Sequence, residues 1–134
     1  MLKKIEHIGI AVKNINDANK LFSSLLGIGN YKTEEVLSEG VITSFFKIGD
    51  SKIELLEATD PESAIAKFID KRGEGVHHIA FDVEDIHSEM KRLEAEGFKL
   101  ISLEPMKGAD NKLVCFLHPK STSGVLIELC QEIK

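Results

Sequence analysis

Tryptophan is absent from this 134-residue chain, which carries one tyrosine, three prolines and two cysteines. The cysteines, Cys115 and Cys130, form no CxxC pair and read as two small buried hydrophobes. A chain of this length is one domain, buries about two-thirds of its extended surface and needs no disulfide. No apolar run approaches the roughly 20 residues of a transmembrane helix. The opening Met1-Leu-Lys-Lys-Ile-Glu-His7 has no long apolar run behind it and does not read as a signal peptide. The cytoplasm is therefore the default expectation, with no membrane partner. An excess of positive charge is missing as well. Seventeen Lys and Arg against 22 Asp and Glu give a net charge of −5, without the basic field that nucleic-acid binding requires.

What the chain does have is globular composition, with 43% apolar and 29% charged residues. Ala18, Leu21, Phe22, Leu25 and Leu26 recur at helical spacing, with Asn16 or Asp17 as cap and Gly27 as stop. A second helix is expected from Asp60-Pro61 through Ile65, Phe68 and Ile69 to Gly73, and a third from Asp85 through Ile86, Met90 and Leu93 to Gly97. Strands are expected at 5–12, 41–48, 52–57, 76–83, 113–117 and 125–130, with weaker candidates at 31–37 and 98–103.

The most informative feature is an internal repeat. His7-Ile8 precedes a helix ending at Gly27 as His78-Ile79 precedes one ending at Gly97, and Lys52-Ile-Glu-Leu55 resembles Leu126-Ile-Glu-Leu129. The chain thus reads β-α-β-β-β twice: one module over about 1–58, a linking helix over 61–72 and a second module over about 74–131, all within a single domain of 1–134. The fold class expected is α+β.

Alternation sorts the strand faces. Ile8, Ile10 and Val12 share a bulky face, and His7, Gly9 and Ala11 a small one; Ile79, Phe81 and Val83 repeat the first, and His78, Ala80 and Asp82 the second. His78 rather than His77 takes the place of His7. Glu6 falls with the packed face. Glu54 and Glu128 sit inside apolar strands, where a carboxylate is costly unless a cation or several donors meet it. Singly, each of these four reads most simply as structural. At equivalent places in a repeat, His7, Glu54, His78 and Glu128 read as nitrogen and oxygen ligands of a divalent ion (Co, Zn, Ni, Mn or Fe(II)). In the loop after His118, Lys120 and Ser121 are candidate donors to a phosphate or carboxylate.

The segments Ile5-Glu-His-Ile-Gly-Ile-Ala-Val12, Lys52–Glu57, Lys71–Phe81, Phe116–Ser121 and Gly124–Leu129 resemble the vicinal oxygen chelate (glyoxalase/bleomycin resistance) superfamily over nearly the whole chain. Gly75-Val-His-His-Ile-Ala80 and His118-Pro-Lys-Ser121 are most similar to its methylmalonyl-CoA epimerase branch. The resemblance implies paired βαβββ modules forming a curved mixed sheet around a metal cleft, with His7, Glu54, His78 and Glu128 as ligands, and a homodimer. Some epimerases carry Gln where this chain has Glu54, and some carry a basic Glu three residues after the Gly matching Gly40, where this chain has Thr43. The activity implied is proton abstraction and return at the carbon between a thioester and a carboxylate of an acyl-CoA. Glu128 and Glu54 would be its acid and base, and Lys120 and Ser121 would meet the CoA phosphates. The alternatives are a lactoylglutathione lyase acting on a thiol adduct, and a non-catalytic member that sequesters small molecules. A fourth ligand argues against a ring-cleaving dioxygenase.

Overall fold

Each of the three helices starts where a short polar side chain accepts a hydrogen bond from the first turn, as shown by the computed structural model, which describes residues 1–134. Asn14 accepts from the Asp17 amide at 2.9 Å and starts α1 (Ile15–Leu26), two to three residues before the expected cap. Gly27 ends α1 in the left-handed region at φ 74°, where a Cβ would be strained. Ser63 starts α2 (Ala64–Arg72). Asp60-Pro61 does not open that helix. Asp60 Oδ1 instead accepts from the Glu62 amide, and the chain makes a turn first. Asp85 caps α3 (Ile86–Ala95) as expected.

The strands are β1 (Leu2–Ala11), β2 (Lys32–Val36), β3 (Val41–Ile48), β4 (Ser51–Ala58), β5 (Gly75–Val83), β6 (Met106–Lys107), β7 (Lys112–Leu117) and β8 (Ile127–Glu132). The 98–103 segment is not a strand. Only Leu100 bridges to Leu117, and the extra edge pairing is made by β6. No helix is long and apolar enough to cross a membrane.

The residues gather into two compact units, Ile8–His77 and Met1–His7 with His78–Lys134. In Ile8–His77, strands run in the order β2-β3-β4-β1, with β2, β3 and β4 antiparallel neighbours. Helix α1 covers one face: Val12, Ile15, Ala18, Phe46 and Leu55 form its core, with Ile10, Phe22 and Leu26 against it. Burying Phe46 and Leu55 fully contributes about 1.5–3 kcal/mol each. Glu57 Oε1 accepts the Ile15 amide at 2.6 Å and anchors the first turn of α1. The other face carries Thr43 and Phe45 of β3 beside Leu56, Glu54 and Lys52 of β4.

In the other unit, β5 and β8 pair in parallel, and β7 runs antiparallel between β8 and β6. Helix α3 buries Ile86, Met90 and Leu93 against Val83, Cys115, Leu117 and Leu129. The opposite face is lined by Ala80, Val114 and Cys130 with Phe116 beside them. That face holds the chemistry described next.

Candidate metal centre

Within the unit of Met1–His7 and His78–Lys134, the parallel pairing of β5 with β8 sets Ala80 opposite Glu128. His78, two residues before Ala80, therefore shares a face with Glu128. Phe116 of β7 pairs with Glu128 and meets the His78 ring edge-on at 5.9 Å between centroids. His7 arrives from β1, with its ring 5.1 Å from that of His78 and nearly perpendicular to it. All three side chains are buried.

Their polar atoms converge. His7 Nε2 lies 3.0 Å from His78 Nε2, and Glu128 Oε1 lies 2.9 Å from His78 Nε2 and 3.3 Å from His7 Nε2. Ligand atoms about 2.1 Å from a divalent ion and at right angles to one another stand about 3.0 Å apart. Two imidazole nitrogens and a carboxylate oxygen at this spacing match one face of an octahedron, the two-histidine, one-carboxylate arrangement that leaves positions open. The residues fit the ion that the sequence implies.

Burial alone pushes the Glu128 carboxyl up, but the His7 and His78 rings against it outweigh this and hold it well below the usual carboxylate range. A carboxylate held in this way is suited to meet a cation. Nearby on β8, burial pushes the Cys130 thiol far up, and the negative charges of Glu128, Glu6 and Asp82 add to it. Cys130 is thus a protonated filler rather than a thiolate ligand.

His7, His78 and Glu128, three of the four ligands expected from the repeat, lie in this unit. Glu54 belongs to the Ile8–His77 unit, where it is buried on β4 opposite Phe45. On the same face of that unit Thr43 is fully buried, and its hydroxyl has no hydrogen-bond partner. His77 packs its ring edge on Phe68 of α2 at 5.0 Å. Lys120 and Ser121 lie in the 3-10 turn Pro119–Ser121. There the Lys120 amide donates to His118 Nδ1, and the Ser121 hydroxyl donates to the His118 carbonyl. The Lys120 side chain is exposed.

Glu6 is the residue that alternation misplaces. It does not sit on a packed face away from His7; its Oε1 lies 2.8 Å from His7 Nδ1, and both residues are buried. Two consecutive buried polar residues break the period-2 pattern of β1. The only sequence signal was a carboxylate inside a strand next to a candidate ligand.

The chain is similar to known proteins along nearly its whole length. The family model described as Glyoxalase/Bleomycin resistance protein/Dioxygenase superfamily matches residues 6–116. The chain is 39% identical over 127 residues to a mitochondrial methylmalonyl-CoA epimerase of Dictyostelium discoideum, covering 94% of this chain and 76% of that one. It is 37% identical over 133 residues to an ethylmalonyl-CoA/methylmalonyl-CoA epimerase of Cereibacter sphaeroides, covering 98% and 99%. A solved structure of a Streptomyces coelicolor methylmalonyl-CoA epimerase variant with 2-nitronate-propionyl-CoA matches with a TM-score of 0.95 at 35% identity, covering 98% of this chain and 96% of that one.

Proposed function

This chain belongs to the glyoxalase/bleomycin resistance protein/dioxygenase superfamily, and from that premise we propose that it is a metal-dependent epimerase acting on methylmalonyl-CoA. The observation that carries the reading is the convergence of His7 Nε2, His78 Nε2 and Glu128 Oε1. The epimerase relatives at 37–39% identity supply the substrate class.

The C2 proton of a malonyl thioester is weakly acidic because both flanking carbonyls can take up the charge left behind. The ion, Co, Zn, Ni or Mn by its ligand set, supplies Lewis-acid stabilisation of that charge when bound. His7, His78 and Glu128 would hold it, with Glu54 as the fourth ligand that the repeat assigns. On the repeat alone, Glu54 and Glu128 are the paired carboxylates, assigned to removing the proton from one face of C2 and returning it to the other, as inversion at one carbon requires. Lys120 and Ser121 are assigned to the phosphates of the CoA arm, Lys120 by its exposed charge and Ser121 by its place in the same turn. The working species in this reading is a homodimer, which sedimentation velocity tests directly.

The deciding experiment incubates the ion-loaded protein with methylmalonyl-CoA in D₂O, beside the hemithioacetal of methylglyoxal and glutathione. Deuterium at C2 of the thioester, with little turnover of the hemithioacetal, is expected. Turnover of the hemithioacetal without C2 exchange makes the chain a lyase instead.

A further inference from the structure

Within the Ile8–His77 unit, the antiparallel pairing of β3 with β4 sets Thr43 opposite Leu56 and Phe45 opposite Glu54, so the four side chains share one sheet face. Thr43 is 0% exposed and its hydroxyl has no hydrogen-bond partner. The next residue shows that the strand can satisfy such a group. Ser44, equally buried on the opposite face, donates its hydroxyl to Asn19 Oδ1 at 2.6 Å. The unmet hydroxyl is thus on the face that carries Glu54. Valine has the same shape without an unpaired hydroxyl, so the group at this position costs stability that packing does not return.

Thr43 and Glu54 are diagonal neighbours across the β3–β4 pair, a relation that sets Cβ atoms about 7–8 Å apart. One acyl carbon and its carboxyl group bridge such a gap. The cover over this face is flexible and cationic. The Lys32 and Lys52 ammonium groups stand 4.9 and 6.0 Å from the centre of the Phe45 ring, and Lys32 Nζ is also 3.6 Å from Glu34 Oε1. Long lysine stems can swing aside for a ligand, and their charge favours an anionic one.

We propose that Thr43 determines substrate specificity by donating its hydroxyl hydrogen to the free carboxylate of the acyl group, which holds C2 beside Glu54. A malonyl-type acyl end offers only oxygen acceptors to this face, and the ionised carboxylate is the strongest of them. A χ1 rotation presents the hydroxyl to the ligand with the strand in place. This role rests on the epimerase reading of the site and adds the group by which the substrate is told from a neutral acyl-CoA.

The test compares wild type, Thr43→Val and Thr43→Ser as ion-loaded proteins, with dissociation constants from calorimetry and rates from C2 deuterium exchange. Thr43→Val should weaken methylmalonyl-CoA binding about 10-fold or more, the loss of one charge-assisted hydrogen bond, and raise KM with kcat within a few-fold of wild type. Propionyl-CoA lacks the carboxylate and should bind wild type and Thr43→Val alike. Thr43→Ser should restore wild-type affinity for methylmalonyl-CoA to within a few-fold. Thr43→Ala removes the same hydroxyl and takes the place of Thr43→Val should that protein not fold. Wild-type affinity for methylmalonyl-CoA in a folded variant without the hydroxyl overturns the role, and so does an equal loss for both ligands. A wild type without C2 exchange defeats the epimerase reading and this role together, whereas an unchanged KM in an exchanging Thr43→Val protein defeats this role alone.

Discussion

Glu6 Oε1 and His7 Nδ1 are 2.8 Å apart, although the two residues are neighbours in one strand whose alternation should set them on opposite faces. This one contact joins the local irregularity of β1 to the proposed ion site. It gives His7, a proposed ligand, a partner on its far nitrogen, the arrangement that orients imidazole ligands in general.

Ion binding should depend on each member of the trio. His7→Ala, His78→Ala and Glu128→Ala are each expected to lower Zn²⁺ affinity by more than about 100-fold, beyond the loss from a supporting group. At free ion a hundred times its dissociation constant, wild-type stability should rise by about 2.7 kcal/mol. That increase, read as a shift in thermal midpoint, should vanish in His78→Ala and return to its baseline in the wild type on chelation.

Glu54 carries a separate expectation. Glu54→Gln keeps the shape of the side chain and removes its basicity. It should lower C2 deuterium exchange by about 100-fold or more, the usual share of a positioned base. An exchange rate within a few-fold of wild type would remove Glu54 from the proton transfer.

Thr43 is fully buried and its hydroxyl lacks a partner. A buried hydroxyl with no hydrogen bond costs stability, and a methyl of the same shape does not. Thr43→Val should therefore raise stability by about 1 kcal/mol in urea unfolding, with the slope against urea unchanged.

Acid sensitivity should trace partly to Glu89. The Arg92 guanidinium hydrogen-bonded to it holds its carboxyl below the usual carboxylate range. A carboxyl whose folded value is depressed stabilises the fold above its unfolded value, and that contribution is lost as pH falls through the folded value. Thermal midpoints of wild type should exceed those of Glu89→Gln at neutral pH, and the gap should close as pH falls below about 4.

Both thiols should be inert in the folded protein. Burial pushes Cys115 up to about 11 and Cys130 higher still, so neither is a thiolate at pH 8. A chromogenic disulfide reagent should find no reactive thiol in native protein and two per chain in denaturant.

The sequence by itself determined the helices, through apolar spacing, the Asp85 cap and the Gly27 stop, because these signals act within a few residues. It also carried the repeat, and through alternation it set His78 in the place of His7. Only the tertiary structure decided that these two side chains meet. His7 and His78 are 71 residues apart, and their 3.0 Å approach depends on strand pairing that no local pattern encodes. Tertiary context likewise demoted 98–103 to a single bridge at Leu100. It also turned Glu6 toward its neighbour, because period-2 reasoning assumes a regular pleat and β1 departs from it where two polar residues are buried in succession.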